Sequence, residues 1–455
     1  MKRPSVLNSI ERKFILLIGD LLIVSASLNV LVNHAIDDEF TYTRLKLILF
    51  CLGFATYFFI SYILDFYNLE KAAKRRIAVS QAFYIGSLIV FSIFIECVLV
   101  FDISFWRKPL LYFLFLTPSQ LVLWRFLFSN IFRIVPVIKN VLYVYDDINS
   151  ANLKEDTDAI NGLDTSTFYK VKLTHRIGQM TPINKSYFAS ATEKIDTTII
   201  NIKNYDSLPK ELENMVLESI IKGKEVISFT SFYENVYEAI PVKSQNESFF
   251  EILQLRNRKI RYLQRLFTVF INFFFSLFVG VIFMIFCPFV WLLNFLFNRG
   301  PLFYTQKRIG KHGKEFSIYK FRSMVVDAEK GGAAMAKKGD ARVTPFGKIL
   351  RMFRIDELPQ VLSIIKGDMQ FIGPRPERKV FVDKLNEITP FYNTRHLIKP
   401  GITGWAQVKY KYGQNLEDSI RKLEYDLYYI KNKSITLDLR IIFKTVTTVL
   451  FSRGV

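Results

Sequence analysis

Cysteine and histidine are scarce in this chain of 455 residues: three of the first (Cys51, Cys97, Cys287) and four of the second (His34, His175, His312, His396). Each cysteine lies inside an apolar run, so neither a disulfide framework nor a zinc site is indicated. The dispersed histidines exclude a His-rich metal centre. Soluble parts are therefore expected in the cytosol. Acidic residues are outnumbered, 41 Asp and Glu against 61 Lys and Arg, which leaves a formal net charge of +20. That surplus implies an anionic partner. No RNA- or DNA-binding motif accompanies it, so membrane lipids and phosphorylated substrates lead and nucleic acid is not expected. A cleavable signal peptide is not expected either, because the first apolar run lacks a small-residue cleavage site and further spans follow it.

What the chain has in abundance is apolar surface, with 44 Phe and 22 Tyr, and its apolar residues are clustered. Clustering of this kind is a membrane signature. Four runs, roughly Phe14 to Val32, Leu45 to Tyr67, Ile77 to Phe101 and Leu110 to Ile131, are each near the ~20 residues a helix needs to cross a bilayer. Basic residues precede the first run (Lys2, Arg3, Arg12, Lys13), separate the second from the third (Lys71, Lys74, Arg75, Arg76) and follow the fourth (Arg133, Lys139). The loop Asp37-Asp38-Glu39 is acidic. Both ends of this bundle are therefore expected on the cytosolic side.

From about Asn140 to Glu251 strand and helix signals alternate. Val141 to Tyr145, Thr197 to Ile202 and Glu225 to Phe229 read as buried strands, and Lys210 to Lys222 as an amphipathic helix between two of them. The pattern predicts a small Rossmann-like α/β domain. Its first strand runs into Asp146-Asp147-Ile-Asn149 instead of the glycine loop that would cradle a pyrophosphate, so a structural or regulatory role is expected.

A fifth run, Leu266 to Phe297, exceeds one ordinary span and is interrupted by Pro288. A proline inside a helix removes a donor and clashes with the preceding turn, so a break or kink is expected there. Arg256, Arg258, Lys259, Arg261 and Arg265 precede the run, and Arg299, Lys307 and Arg308 follow it. Basic flanks on both sides predict a re-entrant helix that enters one leaflet and returns; the alternative is a long tilted crossing helix.

The remaining residues, from Gly300 on, are dense in motifs. Alternation in Phe316 to Met324 places Lys320 and Arg322 on one strand face, where two cations can bind phosphate oxygens or be merely solvated. In Arg354-Ile-Asp356-Glu357-Leu-Pro359 two adjacent carboxylates sit at a predicted helix start, with Gly367 as its stop. Asp356 would be the N-cap, ionised at neutral pH, which suits a nucleophile or metal ligand; the plain alternative is a solvated cap followed by a first-turn Glu. Trp405, within Lys399-Pro-Gly-Ile-Thr-Gly-Trp405-Ala-Gln407, can stack on a base, rest at the bilayer interface or fill the core. Ala328 to Lys338 and Val408 to Gln414 are candidate specificity loops.

Taken together, Tyr-Lys320-Phe-Arg322-Ser-Met, Asp356-Glu357-Leu-Pro-Gln, Lys366-Gly-Asp368-Met, Gly373-Pro374-Arg375-Pro376 and the Trp405 motif closely resemble the bacterial sugar transferase family, the polyprenyl-phosphate hexose-1-phosphate transferases, from about Arg256 to the C-terminus. The preceding half resembles the long-form members that initiate exopolysaccharide, capsule or O-antigen assembly at the bacterial inner membrane. The resemblance implies transfer of a sugar 1-phosphate from a UDP-sugar to undecaprenyl phosphate with release of UMP. Asp356 would be the nucleophile that forms a phosphosugar–enzyme intermediate, and Glu357 would complete an acidic dyad that organises Mg²⁺, so that both are candidate metal ligands. Arg375, stiffened by Pro374 and Pro376, would clamp phosphate, with Lys320 as a second candidate and Arg354 as a weaker one. The break at Pro288 matches the family pattern, with Cys287 where a small polar residue is common.

The expected architecture is thus a membrane protein of mixed α and α/β type: a four-helix transmembrane bundle (1–138), a Rossmann-like cytosolic domain (139–255), a re-entrant membrane helix (256–300) and a mostly helical cytosolic catalytic domain (301–455). Two other functions stay open, a glycosyltransferase that releases UDP and a membrane scaffold for polysaccharide assembly. A homodimer and the assembly machinery stay open as partners.

Overall fold

The computed structural model describes residues 9–450 except 36–41, 65, 68, 70–71, 73–74, 101–106, 135–138, 147–148, 150–151, 162–168, 178–193, 203–208, 243–260, 299, 329–339 and 411–414. The acidic loop at 37–39, the basic residues Lys2, Arg3, Lys71 and Lys74, the basic flank at 256–259, Arg299, and most of both candidate specificity loops lie outside the described residues. The chain separates into two compact units, Met1–Ser228 and Phe229–Val455.

The first unit opens with four long helices where four apolar runs were expected: α1 (Ser9–Ala35), α2 (Tyr42–Ile63), α3 (Arg75–Val100) and α4 (Arg107–Ile134). Glu11–Val30 in α1 and Arg75–Ile95 in α3 are long and apolar enough to cross a membrane, whereas the apolar part of α2 is the shorter Phe50–Ile63. The helices pack through Tyr57, Ile85, Ile89 and Leu121, all essentially inaccessible. Gly86 allows α3 to approach α4, since a Cβ there would stand 2.8 Å from Pro118 Cα. One polar feature was not foreseen. Arg125 of α4 and Asp20 of α1 form a fully buried ion pair, and Arg125 Nη1 also donates to the Phe66 carbonyl at 3.2 Å while its guanidinium lies 3.6 Å from the centre of the Phe66 ring. An unpaired charge in such a place would be strongly unfavourable, so each residue accounts for the other.

The same unit contains a parallel four-stranded sheet in the order β2-β1-β3-β4, formed by β1 (Lys139–Tyr145), β2 (Tyr169–Arg176), β3 (Thr197–Asn201) and β4 (Glu225–Ser228). Helix α5 (Leu153–Asn161) follows β1, and α6 (Lys210–Ile221) links β3 to β4 as expected. Both β2 and α5 are additions to the sequence reading. β1 and β3 are buried runs, while β2 alternates half-buried and exposed residues at the sheet edge. Where a pyrophosphate loop would begin, Asp146 Oδ1 accepts from the Asn149 backbone N–H at 2.9 Å, and Asn149 Nδ2 donates to the Asn201 carbonyl.

The second unit begins with α7 (Phe229–Tyr237), which follows β4 without a linker and packs on the C-terminal helices α13 (Leu416–Asn432) and α14 (Ile435–Leu450). Tyr233 donates to Glu424 at 3.1 Å, and Glu234 accepts from Lys431 at 2.7 Å and Asn432 at 2.8 Å. Glu238 has a left-handed backbone (φ 54), its carboxylate accepts from Arg440 at 2.6 Å and pairs with Lys409, and its carbonyl accepts the Trp405 indole N–H at 3.0 Å. Ile240 and Val242 then enter a core with Leu385, Leu423 and Leu427.

The break expected at Pro288 does not form: helix α8 (Arg261–Phe297) runs without interruption, so the proline removes one backbone donor without ending the helix. Its segment Tyr262–Phe297 is, among the described residues, the third stretch apolar and long enough to cross a membrane. Beyond it come an antiparallel hairpin of β5 (Phe303–Ile309) and β6 (Glu315–Phe321), α9 (Pro345–Met352), a 3₁₀ helix at Ile355–Gln360 continuing into α10 (Val361–Ile365), and β7 (Gln370–Ile372). α11 (Lys379–Ile388), a second 3₁₀ helix at Pro390–Leu397, β8 (Gly401–Thr403) parallel to β7, and α12 (Trp405–Lys409) complete the order before α13 and α14. The protein is therefore largely helical, with long apolar helices and a small mixed α/β part.

Burial pushes the Glu238 carboxyl up, but Lys409 and Arg440 outweigh it and bring it down to about 2, against an ordinary 4.5. Stabilisation by a depressed carboxylate is present above its unfolded value and fades as pH falls toward its folded value. Glu238→Gln should therefore melt below the wild type at pH 7, with the gap closing between about pH 4.5 and pH 2. Thermal melts across that range check this; a gap independent of pH would contradict it.

Candidate functional site

The two adjacent carboxylates are placed by an abrupt change of direction after α9. Thr344 caps that helix, accepting from Gly347 N–H at 2.9 Å, with Pro345 in the first turn. Gly347 has no room for a side chain, because a Cβ would lie 2.0 Å from the Ser323 carbonyl oxygen. α9 ends at Met352, and Arg354 turns the chain with φ 58. A left-handed backbone at a residue other than glycine stores roughly 1–3 kcal/mol, which the surrounding packing must offset. The next residues form the 3₁₀ turn that carries Asp356 and Glu357.

Asp356 is thus inside a 3₁₀ helix and not at the N-cap of an α-helix. The N-terminal position belongs to Arg354, and no side-chain cap is made. The expected stop at Gly367 is present, with φ 82. The environment differs from the solvated cap as well: Asp356 is 7% exposed.

The two carboxylates face different surroundings. Glu357 Oε1 accepts from Lys320 Nζ of β6 at 2.9 Å and from Arg375 Nη2 at 2.8 Å, while Arg354 Nη1 stands 3.9 Å from Oε2. Burial raises the Glu357 carboxyl, but Lys320, Arg375 and Arg354 together hold it well below the usual range. Asp356 goes the other way. Burial and the neighbouring Glu357 charge push it up to about 6, against partial opposition from Lys320, Arg351 and Arg354. The result is one permanently ionised, cation-saturated carboxylate beside a second with much less compensation.

The structure thus gathers Asp356, Glu357, Lys320, Arg354 and Arg375. Pro374 and Pro376 flank Arg375 in the loop after β7. Arg322 is not part of the group. β6 ends at Phe321, the alternation that would have put Arg322 beside Lys320 stops there, and its Nε donates to the Pro301 carbonyl at 2.9 Å. Trp405 is also elsewhere. Its side chain is completely inaccessible, its N–H is used by Glu238, and Lys409, Arg440 and Lys444 lie 4.7–5.1 Å from its ring centre. A tryptophan so enclosed offers no face to a base or to lipid, so the core reading is the one that fits. Arg351, which faces Asp356 from the last turn of α9 and donates to Ser323 Oγ at 2.9 Å, was missed. The spacing Arg351-x-x-Arg354-x-Asp356 was its available signal.

Among the described residues no group of three His, Cys, Asp or Glu could hold a metal. Mg²⁺ needs less from a protein than that, one or two carboxylates with phosphate oxygens and water completing the shell. Glu357 Oε2, which Arg354 Nη1 approaches to 3.9 Å, and the half-compensated Asp356 are hard oxygen donors of the required kind. The residues present fit a sparsely held Mg²⁺.

A raised Asp356 makes the folded state bind its proton more tightly than the unfolded one, so ionisation opposes folding. Asp356→Asn is expected to raise the melting temperature at pH 7–8. The gain should grow from about pH 4 to about pH 6 and then level off. A variant less stable than the wild type at pH 8 would contradict the placement of Asp356.

Comparison with known proteins places this unit. Residues 263–452 match the family model described as bacterial sugar transferase. The chain is 51% identical over 157 residues to a UDP-N-acetylgalactosamine-undecaprenyl-phosphate N-acetylgalactosaminephosphotransferase of Aeromonas hydrophila, covering 34% of this chain and 37% of that protein. It is 42% identical over 155 residues to an uncharacterized sugar transferase of Bacillus subtilis (strain 168), covering 34% and 73%, and 40% identical over 175 residues to an exopolysaccharide production protein of Rhizobium leguminosarum bv. phaseoli, covering 37% and 87%. The matched stretch thus spans little more than a third of the Aeromonas protein but most of the other two. Through the unit that carries Asp356 and Glu357, the chain belongs to the bacterial sugar transferase family.

Proposed function

We propose that this protein transfers a sugar 1-phosphate from a UDP-sugar to undecaprenyl phosphate, releasing UMP, and so begins the assembly of an exopolysaccharide, capsule or O-antigen. The observation that carries the proposal is the divided environment of the two carboxylates. A nucleophile must be ionised yet not tied up by cations, and Asp356 fits that description better than Glu357. An Asp356 oxygen would attack the β-phosphorus of the donor as the bond from that phosphorus to the bridging oxygen breaks, and UMP carries away the electron pair. An oxygen of the lipid phosphate would then attack the same phosphorus and expel the Asp356 carboxylate. Each step brings negative oxygen toward a negative phosphoryl group, so fixed positive charge must be present beforehand. Lys320 and Arg375 converge on one oxygen of Glu357, which places both cations at the edge of the dyad. Mg²⁺, when bound by Asp356 and Glu357, would neutralise phosphate oxygens in the same place.

Geometry also supports a membrane-surface site. We read α8 as re-entrant, because the helix packs on the same unit on both sides of Pro288. Ile271 and Phe275 join the cluster around Trp405, Phe283 and Cys287 lie against Phe321, Phe346 and Leu350, and beyond the proline Val290 is buried in that same cluster. A helix that crossed the bilayer would meet its following domain only near one end. We read α1 to α4 as a four-helix bundle with both ends cytosolic, and the parallel sheet as a Rossmann-like domain that has lost its dinucleotide loop and serves structure or regulation. Any self-association, or docking on polysaccharide assembly proteins, is assigned to these first 262 residues, which the family match does not reach.

Purified protein given Mg²⁺, undecaprenyl phosphate and a panel of UDP-sugars, including UDP-N-acetylgalactosamine and UDP-glucose, should release UMP from at least one. Asp356→Asn should lower that release by at least roughly 10³-fold, as expected for loss of a covalent nucleophile. Release of UDP would point instead to an ordinary glycosyltransferase, and unchanged turnover by Asp356→Asn would remove the nucleophile. For topology, single cysteines introduced after residue 300 should react only with reagents that reach the cytosolic side; labelling from the periplasm would defeat the re-entrant reading.

A further inference from the structure

The loop that carries Arg375 has few ways of being held. Pro374 and Pro376 lack N–H groups, so the loop must be fixed through its carbonyls. All four are pinned. Pro374 O accepts from Gly401 N–H at 2.9 Å, Arg375 O from Arg395 Nη2 at 2.9 Å, Pro376 O from Arg308 Nη1 at 3.3 Å, and Glu377 O from Ile309 N–H at 2.9 Å. Two of these anchors are backbone groups and Arg308 is held by Glu377 of the loop itself, at 3.4 Å. Arg395 is different. It sits in the second 3₁₀ helix with its side chain 5% exposed, pairs at 2.8 Å with Asp426 of α13, itself 2% exposed, and hydrogen-bonds the Tyr392 hydroxyl.

Burying a guanidinium and a carboxylate together gives little net stability, and apolar residues of similar volume often serve a fold as well. What a guanidinium supplies and a leucine does not is a donor in a fixed direction. Arg395 uses one nitrogen, Nη2, both for Asp426 and for the Arg375 carbonyl, so the carboxylate sets where that donor points. The carbonyls on either side of the Arg375 α-carbon are both held, by Gly401 and by Arg395, which fixes the direction in which the Arg375 side chain leaves the backbone. That side chain ends on Glu357 at 2.8 Å.

We propose that Arg395, oriented by Asp426, is a positioning residue for Arg375, acting through the Arg375 carbonyl and touching neither substrate nor dyad. The proposal rests on the reading of Arg375 as a phosphate clamp. Displacing a group by about 1 Å at a reacting centre can lower rate on the order of 10²-fold, and this sets the scale of the effect.

A double-mutant cycle in the full-length protein tests it, with Arg375→Ala, Arg395→Gln and both together. UMP release and, separately, affinity for UDP by calorimetry are the two readouts. Arg395→Gln should lower kcat by roughly 10- to 100-fold with a smaller change in KM, and should add less than about twofold once Arg375 is already alanine. Losses that multiply in the double variant, or a folded Arg395→Gln with wild-type kcat, would overturn the proposal. Should Arg395→Gln melt before assay, Asp426→Asn, which keeps shape and removes the orienting charge, takes its place in the cycle with the same expectation. Should the wild type release UDP and not UMP, the reaction class falls, while the cycle in UDP affinity still reads whether Arg395 acts through Arg375.

Discussion

The site depends on an imbalance of charge across one peptide bond. Glu357 is saturated by Lys320 and Arg375 with Arg354 nearby, and this lets it remain ionised in a mostly buried position. Asp356, next to it, has no such set of direct partners among the described residues and is pushed toward neutrality by burial and by Glu357 itself. Other features of the unit serve this arrangement. The left-handed turn at Arg354 delivers both residues from α9, the hairpin supplies Lys320, and the pinned proline loop supplies Arg375. An Asp356 whose ionisation opposes folding is stability given up locally, as functional sites commonly show.

The unit around the site is wider than the motifs. α7 and the residues through Val242, which directly follow the last strand of the α/β sheet, pack on α13 and α14 through Glu234, Glu238 and Ile240. Long helix α8 contributes at two places, Asn272 accepting from Phe371 N–H at 2.8 Å and Asn294 donating to the Gly300 carbonyl at 2.8 Å. Polar side chains in an otherwise apolar helix thus mark where it meets the folded unit.

Much of this was legible in the chain because it rests on local rules. The apolar runs announced the long helices, the buried β1 and β3 and the half-buried β4 announced the sheet, and the dyad announced itself by two carboxylates before a helix-compatible proline. Edge strand β2 was missed although Tyr169-Lys-Val-Lys-Leu-Thr-His-Arg176 alternates, because its exposed face is basic and its apolar face is modest. Other features are pairings across long separations that no local window contains. Asp20 meets Arg125 and Arg395 meets Asp426 only after folding. The fate of Trp405 was decided the same way, by Glu238 capping its N–H from far along the chain. Arg322 parted from Lys320 because the strand ends one residue too early for its period to continue. The N-cap expected at Asp356 failed because the turn at Arg354 tightens the following residues into a 3₁₀ helix.

The central claim is that Asp356 becomes covalently linked to the transferred group. Incubating the protein with Mg²⁺ and an accepted UDP-sugar but no lipid phosphate, followed by acid quench, proteolysis and mass spectrometry, tests it most directly. The account expects a single sugar-phosphate adduct on the peptide containing Asp356, formed together with at most one equivalent of UMP. An unmodified peptide under conditions where adding lipid phosphate gives turnover, or an adduct on Glu357 instead, would contradict it.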